Sequence, residues 1–247
     1  MRRARMKYRT WTMVFFVAAG LLAGCRRRPE KFFELGKYFE DRKQFGQAAV
    51  EYQKALDEDP TFFEAQHHLG RAYRGANMLD QAEAALNQAF KLNPKSAEAR
   101  IDLAEIYFSQ DKHDLARDLA QKALELSPGN PGAYTLLGGI LLQEKKYKEA
   151  AEKFEKALLQ DPKNAEVHYA LAFAYLFDAS QDRKQDAIKE LHQAGELGYP
   201  IQKARDRFAQ ELKAQGSSLE QLEKEFQATQ PKPEPAEAAS PPPQKKP

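Results

Sequence analysis

Apolar and small residues recur along this chain with a period of 34 residues. Four prolines mark the period: Pro60, Pro94, Pro128 and Pro162. With the same period a leucine followed by glycine or alanine returns at 35–36, 69–70, 103–104, 137–138 and 171–172. Within each half of the period the apolar positions are three, four and seven residues apart, which places them on one face of a helix. The pattern therefore predicts repeated pairs of amphipathic helices and an all-α fold.

The connections between the predicted helices contain residues that indicate where one helix ends and the next begins. Each proline ends the second helix of a pair, because the residue before a proline is disfavoured in the α-helical region. The residues just before the prolines can bond to the turn backbone: Asp59, Asn93, Ser127 and Asp161. Shortly after the prolines come residues that suit the N-cap of the next helix: Ser96, Asn130 and Asn164.

The fifth unit departs from this regularity. Its second-helix residues Ala187, Leu191 and Ala194 come three positions late, which predicts a longer turn inside the unit. A helix is predicted from 201 to 215, and Ser217 and Glu220 form a capping box for another. We expect the helices at 200–228 to cover the end of the repeat array. Residues 229–247 contain seven prolines and predict a disordered tail, either a spacer or a ligand for a proline-binding module.

Together these columns resemble the tetratricopeptide repeat family, whose pattern also has an aromatic residue at the fourth position, here Phe32 and Tyr134. The resemblance covers residues 29 to about 195. It implies a right-handed α-solenoid of five helix-turn-helix units over 29–199, the fifth of them degenerate. It also implies that the first helix of each unit lines a concave groove that binds a protein or peptide.

The groove positions implied by the resemblance change character along the chain. The early positions are mostly polar and include Lys37, Glu40, His67 and Arg74. The late positions form an apolar stripe: Thr135, Gly139, Leu142, Tyr169, Phe173, Leu176 and Phe177. A stripe of this size is rarely left uncovered. Two interpretations remain open: the stripe binds a partner segment, or the chain's own helix at 201–212 covers it.

The N-terminus has the organisation of an export signal. A basic stretch reaching Arg9 precedes an apolar run at 11–24, which is short for a membrane span but typical of a signal peptide. The end of this run resembles the bacterial lipobox: Leu22, Ala23, Gly24 and Cys25. The resemblance implies a signal peptide at 1–24, acylation of Cys25 (palmitate included) and a short basic tether at 25–28. A buried structural Cys25 or a short uncleaved anchor is the alternative.

The charge distribution and the residue types present exclude several kinds of function. The formal charge is +2, but the first 24 residues hold five basic residues and no acidic one, so the body is mildly acidic and nucleic-acid binding is disfavoured. A single cysteine excludes internal disulfides and cysteine-rich zinc sites. No catalytic motif occurs, and the five histidines lack the spacing of metal ligands. We therefore expect no catalytic residue, no metal and no cofactor.

These observations predict a non-enzymatic, lipid-anchored scaffold for protein–protein interaction. Its architecture, though not its detailed sequence, is similar to repeat lipoproteins that assist assembly of pilus or secretion complexes. Arg26, rather than an acidic residue, follows Cys25 and favours the outer membrane with the repeats facing the periplasm. An adaptor that presents substrates to a periplasmic peptidase or cell-wall hydrolase is the alternative.

Overall fold

A computed structural model describes residues 28–178, 183–214, 218–221 and 223–224 of the chain. The lipobox-like residues Leu22, Ala23, Gly24 and Cys25 lie outside this part, as does the proline-rich segment 229–247. The predictions made for those two segments therefore remain predictions.

Eleven helices occur in the described residues, and no strand occurs there, which confirms the all-α prediction. Their bounds are α1 Pro29–Asp41, α2 Phe45–Glu58, α3 Phe63–Gly75, α4 Leu79–Leu92, α5 Ala97–Ser109, α6 His113–Leu126, α7 Pro131–Gln143, α8 Tyr147–Gln160, α9 Ala165–Phe177, α10 Lys184–Glu196 and α11 Ile201–Ala214. Further helical residues follow at 219–221 and 223–224.

The chain divides into two compact units, with the boundary between Pro128 and Gly129. In the first unit the helices pair as α1 with α2, α3 with α4 and α5 with α6; α2 packs on α3, and α4 packs on α5. In the second unit α7 pairs with α8 and α9 with α10, α8 packs on α9, and α11 contacts both α9 and α10. The helical pairs therefore correspond to the 34-residue period of the sequence.

The turn inside each of the first four pairs has three residues and a fixed backbone conformation. Its middle residue has a positive φ of 57 to 61° and recurs every 34 positions, at Lys43, Asn77, Asp111 and Lys145. The sequence columns did not indicate this position because its residue type varies among the repeats. In the fifth pair α9 ends at Phe177 and α10 begins at Lys184, which confirms the longer turn.

Three predicted N-caps are confirmed. The side chains of Ser96, Asn130 and Asn164 accept hydrogen bonds from backbone N–H groups in the first turns of α5, α7 and α9. Asn164 Oδ1 lies 3.2 Å from the Val167 nitrogen, and Asn164 Nδ2 donates to Asp161 Oδ2 at 3.1 Å. The cap therefore fixes both the start of α9 and the turn before it.

Replacing Asn164 with alanine is expected to lower the free energy of unfolding by about 1 kcal/mol, because the N–H of Val167 loses its acceptor. Urea denaturation monitored by circular dichroism measures the change. Asn87 lies exposed within α4, so the same replacement there should stabilise by a few tenths of a kcal/mol through helix propensity. Equal effects of the two substitutions would contradict a capping role for Asn164.

Small residues in the leucine–glycine columns allow the paired helices to approach closely. A Cβ atom on Gly138 would lie 2.6 Å from the Phe154 ring. The same close approach occurs in two pairs of the first unit: Gly36 with Tyr52 and Gly70 with Leu86. In the third repeat the residues at these positions are Ala104 and Ala120, both buried. In these four repeats a large side chain thus accompanies glycine, and a small one accompanies alanine.

Candidate functional site

The second unit contains an aromatic cavity, which we call the aromatic groove. It has a volume of about 540 Å³ and is lined by residues of α7, α8, α9 and α11, together with Lys145 and Tyr199 from the connections. The lining residues are Leu142, Gln143, Lys145, Tyr147, Glu166, Tyr169, Ala170, Phe173, Phe177, Tyr199 and Arg207. Four residues of the stripe predicted from sequence, Leu142, Tyr169, Phe173 and Phe177, are therefore brought together in one cavity.

Ring contacts organise the aromatic groove. The Phe173 and Phe177 rings are 4.5 Å apart between centroids, and Phe177 stacks on Tyr147 at 5.1 Å. On the other side Tyr169 stacks on Tyr199 at 4.6 Å. All five side chains are partly buried, so they hold one another in place while keeping part of their surface accessible.

Helix α11 covers one edge of the stripe. The Phe208 side chain is fully buried, and its ring centroid lies 6.1 Å from that of Tyr169 and 6.2 Å from that of Phe173. The Arg207 guanidinium stands 4.6 Å from the Phe173 ring centroid in a cation–π contact. The chain's own helix therefore covers one edge of the stripe, and a cavity remains beside it.

Three stripe residues lie elsewhere. Thr135 and Gly139 are half-buried and do not line the groove. Leu176 is 4% exposed and belongs to the core of the second unit. Consecutive helical residues point about 100° apart, so Leu176 and Phe177 face different directions. This corrects the sequence-based placement of Leu176 on the stripe.

The groove carries charges of both signs beside its aromatic rings. Lys145 and Arg207 supply positive charge, and Glu166 supplies negative charge. Burial raises the pKa of the Tyr199 phenol, and Tyr169 and Glu166 raise it further, so this hydroxyl remains a hydrogen-bond donor at neutral pH. The site therefore has apolar surface together with polar groups that can meet a peptide backbone or a carboxylate.

The first unit has a partly buried polar network that the sequence did not reveal. Glu40 Oε2 accepts a hydrogen bond from the Tyr52 hydroxyl at 2.6 Å and lies 2.8 Å from His68 Nδ1. Arg71 pairs with the other oxygen of Glu40 at 3.2 Å. Burial raises the pKa of Glu40, but the contacts with His68, Tyr52 and Arg71 outweigh it, and the pKa falls below its ordinary value.

Replacing Glu40 with glutamine is expected to destabilise the protein by about 1.5–3 kcal/mol at pH 7, since these hydrogen bonds involve a charged group. A carboxyl whose pKa is lowered by folding stabilises above its unfolded pKa of about 4.3 and loses this contribution as the pH falls through the folded value. The difference between variant and wild type should therefore shrink as the pH falls below about 4.3. Urea denaturation at several pH values measures it.

Glu34 provides the control for this prediction. It lies on the same helix, is exposed and pairs with Lys37 at 3.2 Å. The replacement Glu34→Gln should change stability by less than about 0.5 kcal/mol. A destabilisation by Glu40→Gln that stays constant down to about pH 2, well below the ordinary pKa of a carboxyl, would show that the charge of Glu40 does not contribute.

A second polar network joins α3 to α5. His67 Nε2 lies 2.6 Å from Asp102 Oδ2, and Arg74 contacts both Asp102 and Glu105. His67 and His68 thus face carboxylates on different helices. In the described part of the chain no group of His, Cys, Asp and Glu side chains is arranged to hold a metal ion. Many of the polar groove positions predicted in the first unit are therefore engaged in contacts with one another.

No helix within the described ranges is long and apolar enough to cross a membrane. The sequence also has no significant match among curated proteins.

Solved structures share the fold. The MamA protein is 25% identical, with 69% of this chain and 91% of that chain covered and a TM-score of 0.52. TTC0263, a thermophilic repeat protein of Thermus thermophilus, is 19% identical over 74% of this chain and 98% of its own, with a TM-score of 0.62. YrrB, a repeat protein with an unusual peptide-binding site, is 20% identical over 81% and 97%, with a TM-score of 0.51.

A family model supports the same assignment. The model of the tetratricopeptide repeat protein 21 C-terminal ARM domain matches residues 40–193, which is more than half of the chain. Proteins built from such repeats mediate protein–protein interactions and are generally non-enzymatic scaffolds. On its 34-residue helical pairs and this match, the chain belongs to the family of the tetratricopeptide repeat protein 21 C-terminal ARM domain.

Proposed function

We propose that this protein is a lipid-anchored scaffold that binds a segment of a partner protein in the aromatic groove. The observation that carries the proposal is the cavity of about 540 Å³ beside Phe173, which α11 leaves open. Its rings are held by mutual contacts, so binding a partner requires little ordering of the site. A preorganised aromatic site of this kind favours binding over catalysis.

The geometry also indicates the kind of segment that fits. An apolar or aromatic side chain would pack between Tyr147, Phe177 and Tyr169, and its burial supplies the affinity. Lys145 and Arg207 stand beside these rings and would pair with an acidic residue next to the apolar one. The peptide-binding site reported for YrrB supports this use of the repeat, although the similarity to YrrB extends to the fold alone.

The membrane attachment is proposed from the sequence. Leu22, Ala23, Gly24 and Cys25 resemble a lipobox at the end of an apolar run, so we infer acylation of Cys25 and removal of residues 1–24. With Arg26 after the cysteine, the outer membrane with the repeats facing the periplasm is the proposed location. There the scaffold would assist assembly of an envelope complex of the pilus or secretion type.

The experiment is a cross-linked pull-down from native membranes with two matched substitutions. Tyr147→Ala removes a groove ring at the first residue of α8, where the fold should tolerate it. Tyr134→Ala removes a half-buried tyrosine of α7 that does not line the groove. We expect Tyr147→Ala to reduce partner recovery at least about tenfold, and Tyr134→Ala to leave it within about twofold.

Circular dichroism of both variants separates lost binding from lost fold. Equal recovery with Tyr147→Ala and wild type would contradict binding in the aromatic groove. The recovered partner distinguishes the functions: components of an envelope assembly support the scaffold, and a peptidase or cell-wall hydrolase supports the adaptor. Mass spectrometry of the N-terminal peptide from the same sample tests acylation of Cys25.

A further inference from the structure

The first helical pair presents an uncovered apolar face, which we call the end face. Phe32, Leu35 and Tyr38 are three residues apart along α1 and therefore lie on one side of it. They border a cavity of about 560 Å³ together with Lys31 and Lys54. Leu35 is 40% exposed and Tyr38 is 48% exposed, which is high for large apolar side chains in a packed repeat.

The later repeats show what the end face lacks. The residues equivalent to Leu35 are Leu69, Leu103, Leu137 and Leu171, all between 2 and 6% exposed. The residues equivalent to Tyr38 are Ala72, Ile106, Ile140 and Ala174, all fully buried. Leu69 and Ala72 share a core cluster with residues of α2, the second helix of the preceding pair. Leu35 and Tyr38 thus occupy stacking positions for which the described chain supplies no preceding helix.

The repeat period locates that missing helix in the sequence. Each second helix from α2 to α8 has 14 residues and is followed by a four-residue connection. Counting back from Pro29, the equivalent helix would occupy residues 11–24 and its connection residues 25–28. Residues 11–24 are the apolar run that the proposed processing removes. The mature protein would therefore begin at Cys25 with the end face open.

The position of Cys25 then determines what meets this face. Cys25 lies four residues before Pro29, a distance of at most about 14 Å of extended chain. Acyl chains on Cys25 would hold the start of α1 at the bilayer surface. The Tyr38 ring suits the interface, where tyrosine and tryptophan concentrate, and Phe32 and Leu35 add apolar surface beside it. The chemistry of the end face therefore matches a lipid surface at the distance that the tether allows.

Charges around the end face agree with this contact. Lys31 borders the apolar residues, and the Arg42 guanidinium lies 3.7 Å from the Tyr38 ring centroid. The acidic neighbours are paired, Glu34 with Lys37 at 3.2 Å and Glu51 with Lys54 at 2.6 Å. Long basic side chains can extend from such a face to anionic headgroups while their stems cover apolar surface.

We propose that the end face lies on the bilayer, with Phe32, Leu35 and Tyr38 entering the headgroup region. This inference rests on the proposed acylation of Cys25. It makes the first helical pair a membrane-contacting element rather than a free end of the repeat array. The lipid thus completes the burial that a preceding helix provides for every later repeat of the first unit.

The only tryptophan, Trp11, lies in the segment that processing removes, so the mature protein offers a clean fluorescence background. The test uses the acylated mature protein in vesicles of phosphatidylethanolamine and phosphatidylglycerol, with plain or brominated acyl chains. The reporter variant is Tyr38→Trp. The control is Leu159→Trp, at a side chain that is 77% exposed on α8. We expect brominated lipid to lower the emission of the reporter at least about twofold and that of the control by less than about a tenth.

Each other outcome overturns the inference in a recognisable way. An unquenched reporter on a protein that stays bound to vesicles through acylated Cys25 would show that the anchor exists but the end face does not touch lipid. A reporter emission that shifts to the blue with protein concentration, without quenching, would show that a second copy covers the face. An unmodified Cys25 with residues 1–24 attached would overturn both the anchor and the inference.

Discussion

Replacing Phe154 with alanine is expected to lower the free energy of unfolding of the second unit by about 3–5 kcal/mol. Phe154 is 1% exposed and fills the space above Gly138, where no side chain competes with its ring. Truncation leaves a cavity between α7 and α8 that neighbouring side chains fill only in part. Guanidinium denaturation should show a lower midpoint with an unchanged slope.

Leu159 is the control for this substitution because it lies on the same helix and is 77% exposed. Leu159→Ala should change stability by less than about 0.5 kcal/mol. A loss below about 1 kcal/mol for Phe154→Ala would show that the paired helices close over the cavity and that this contact is not specific.

A double-mutant cycle on Gly138 and Phe154 tests their contact more strictly. Gly138→Ala alone should destabilise by about 1–3 kcal/mol, because its Cβ meets the Phe154 ring. In the Phe154→Ala background the same change should cost much less, since the third repeat has alanine at both positions, Ala104 and Ala120. Additive effects of the two substitutions would contradict a direct contact.

Replacing Phe208 with alanine is expected to release α11 from the second unit. Phe208 and Leu212 are the fully buried residues of this helix in the described part of the chain, and Phe208 contacts Tyr169 and Phe173. Losing the ring should cost about 3–5 kcal/mol of local stability. Amide hydrogen exchange in α11 should then accelerate by between about a hundredfold and a few thousandfold, with α7 to α10 less affected.

Gln202 provides the matched control, since it is exposed on the same helix and its side chain donates to Asp206. Gln202→Ala should leave exchange in α11 within about threefold of wild type. We also expect Phe208→Ala to weaken partner binding, because Arg207 would leave the wall of the aromatic groove. Stronger binding in this variant would instead indicate that α11 competes with the partner for the stripe.

The parts of the fold that depend on local pattern could be predicted from sequence. The helical pairs, the caps at Ser96, Asn130 and Asn164, and the longer turn before α10 all follow from residues within one period of each other. It could also be predicted that Tyr169, Phe173 and Phe177 lie close together, because they are on one face of a single helix. Their clustering with Leu142 follows from stacking one first helix on the next.

Other features depend on contacts between residues that are far apart in the sequence, and the repeat pattern does not indicate these contacts. The contact of His67 with Asp102 joins residues 35 positions apart, and neither belongs to an apolar column. Tyr199 and Arg207 line the groove because of where α11 packs, which depends on side-chain fit rather than on the repeat. The left-handed residue in the turns of the first four pairs could not be predicted because Lys, Asn and Asp all occupy it. These features therefore depend on tertiary packing and backbone geometry, which the local sequence pattern does not specify.

The uncovered end face affects how readily the protein is degraded in the cell. The pair α1–α2 has a packed neighbour on one side only among the described helices, so we expect it to open at a lower cost in free energy than α3–α4, which packs on a pair at each side. If lipid protects it, a molecule that loses its place on the membrane also loses that protection. Proteases would then reach the basic residues of α1 first. Mislocalised copies would be degraded preferentially, so that location itself governs turnover.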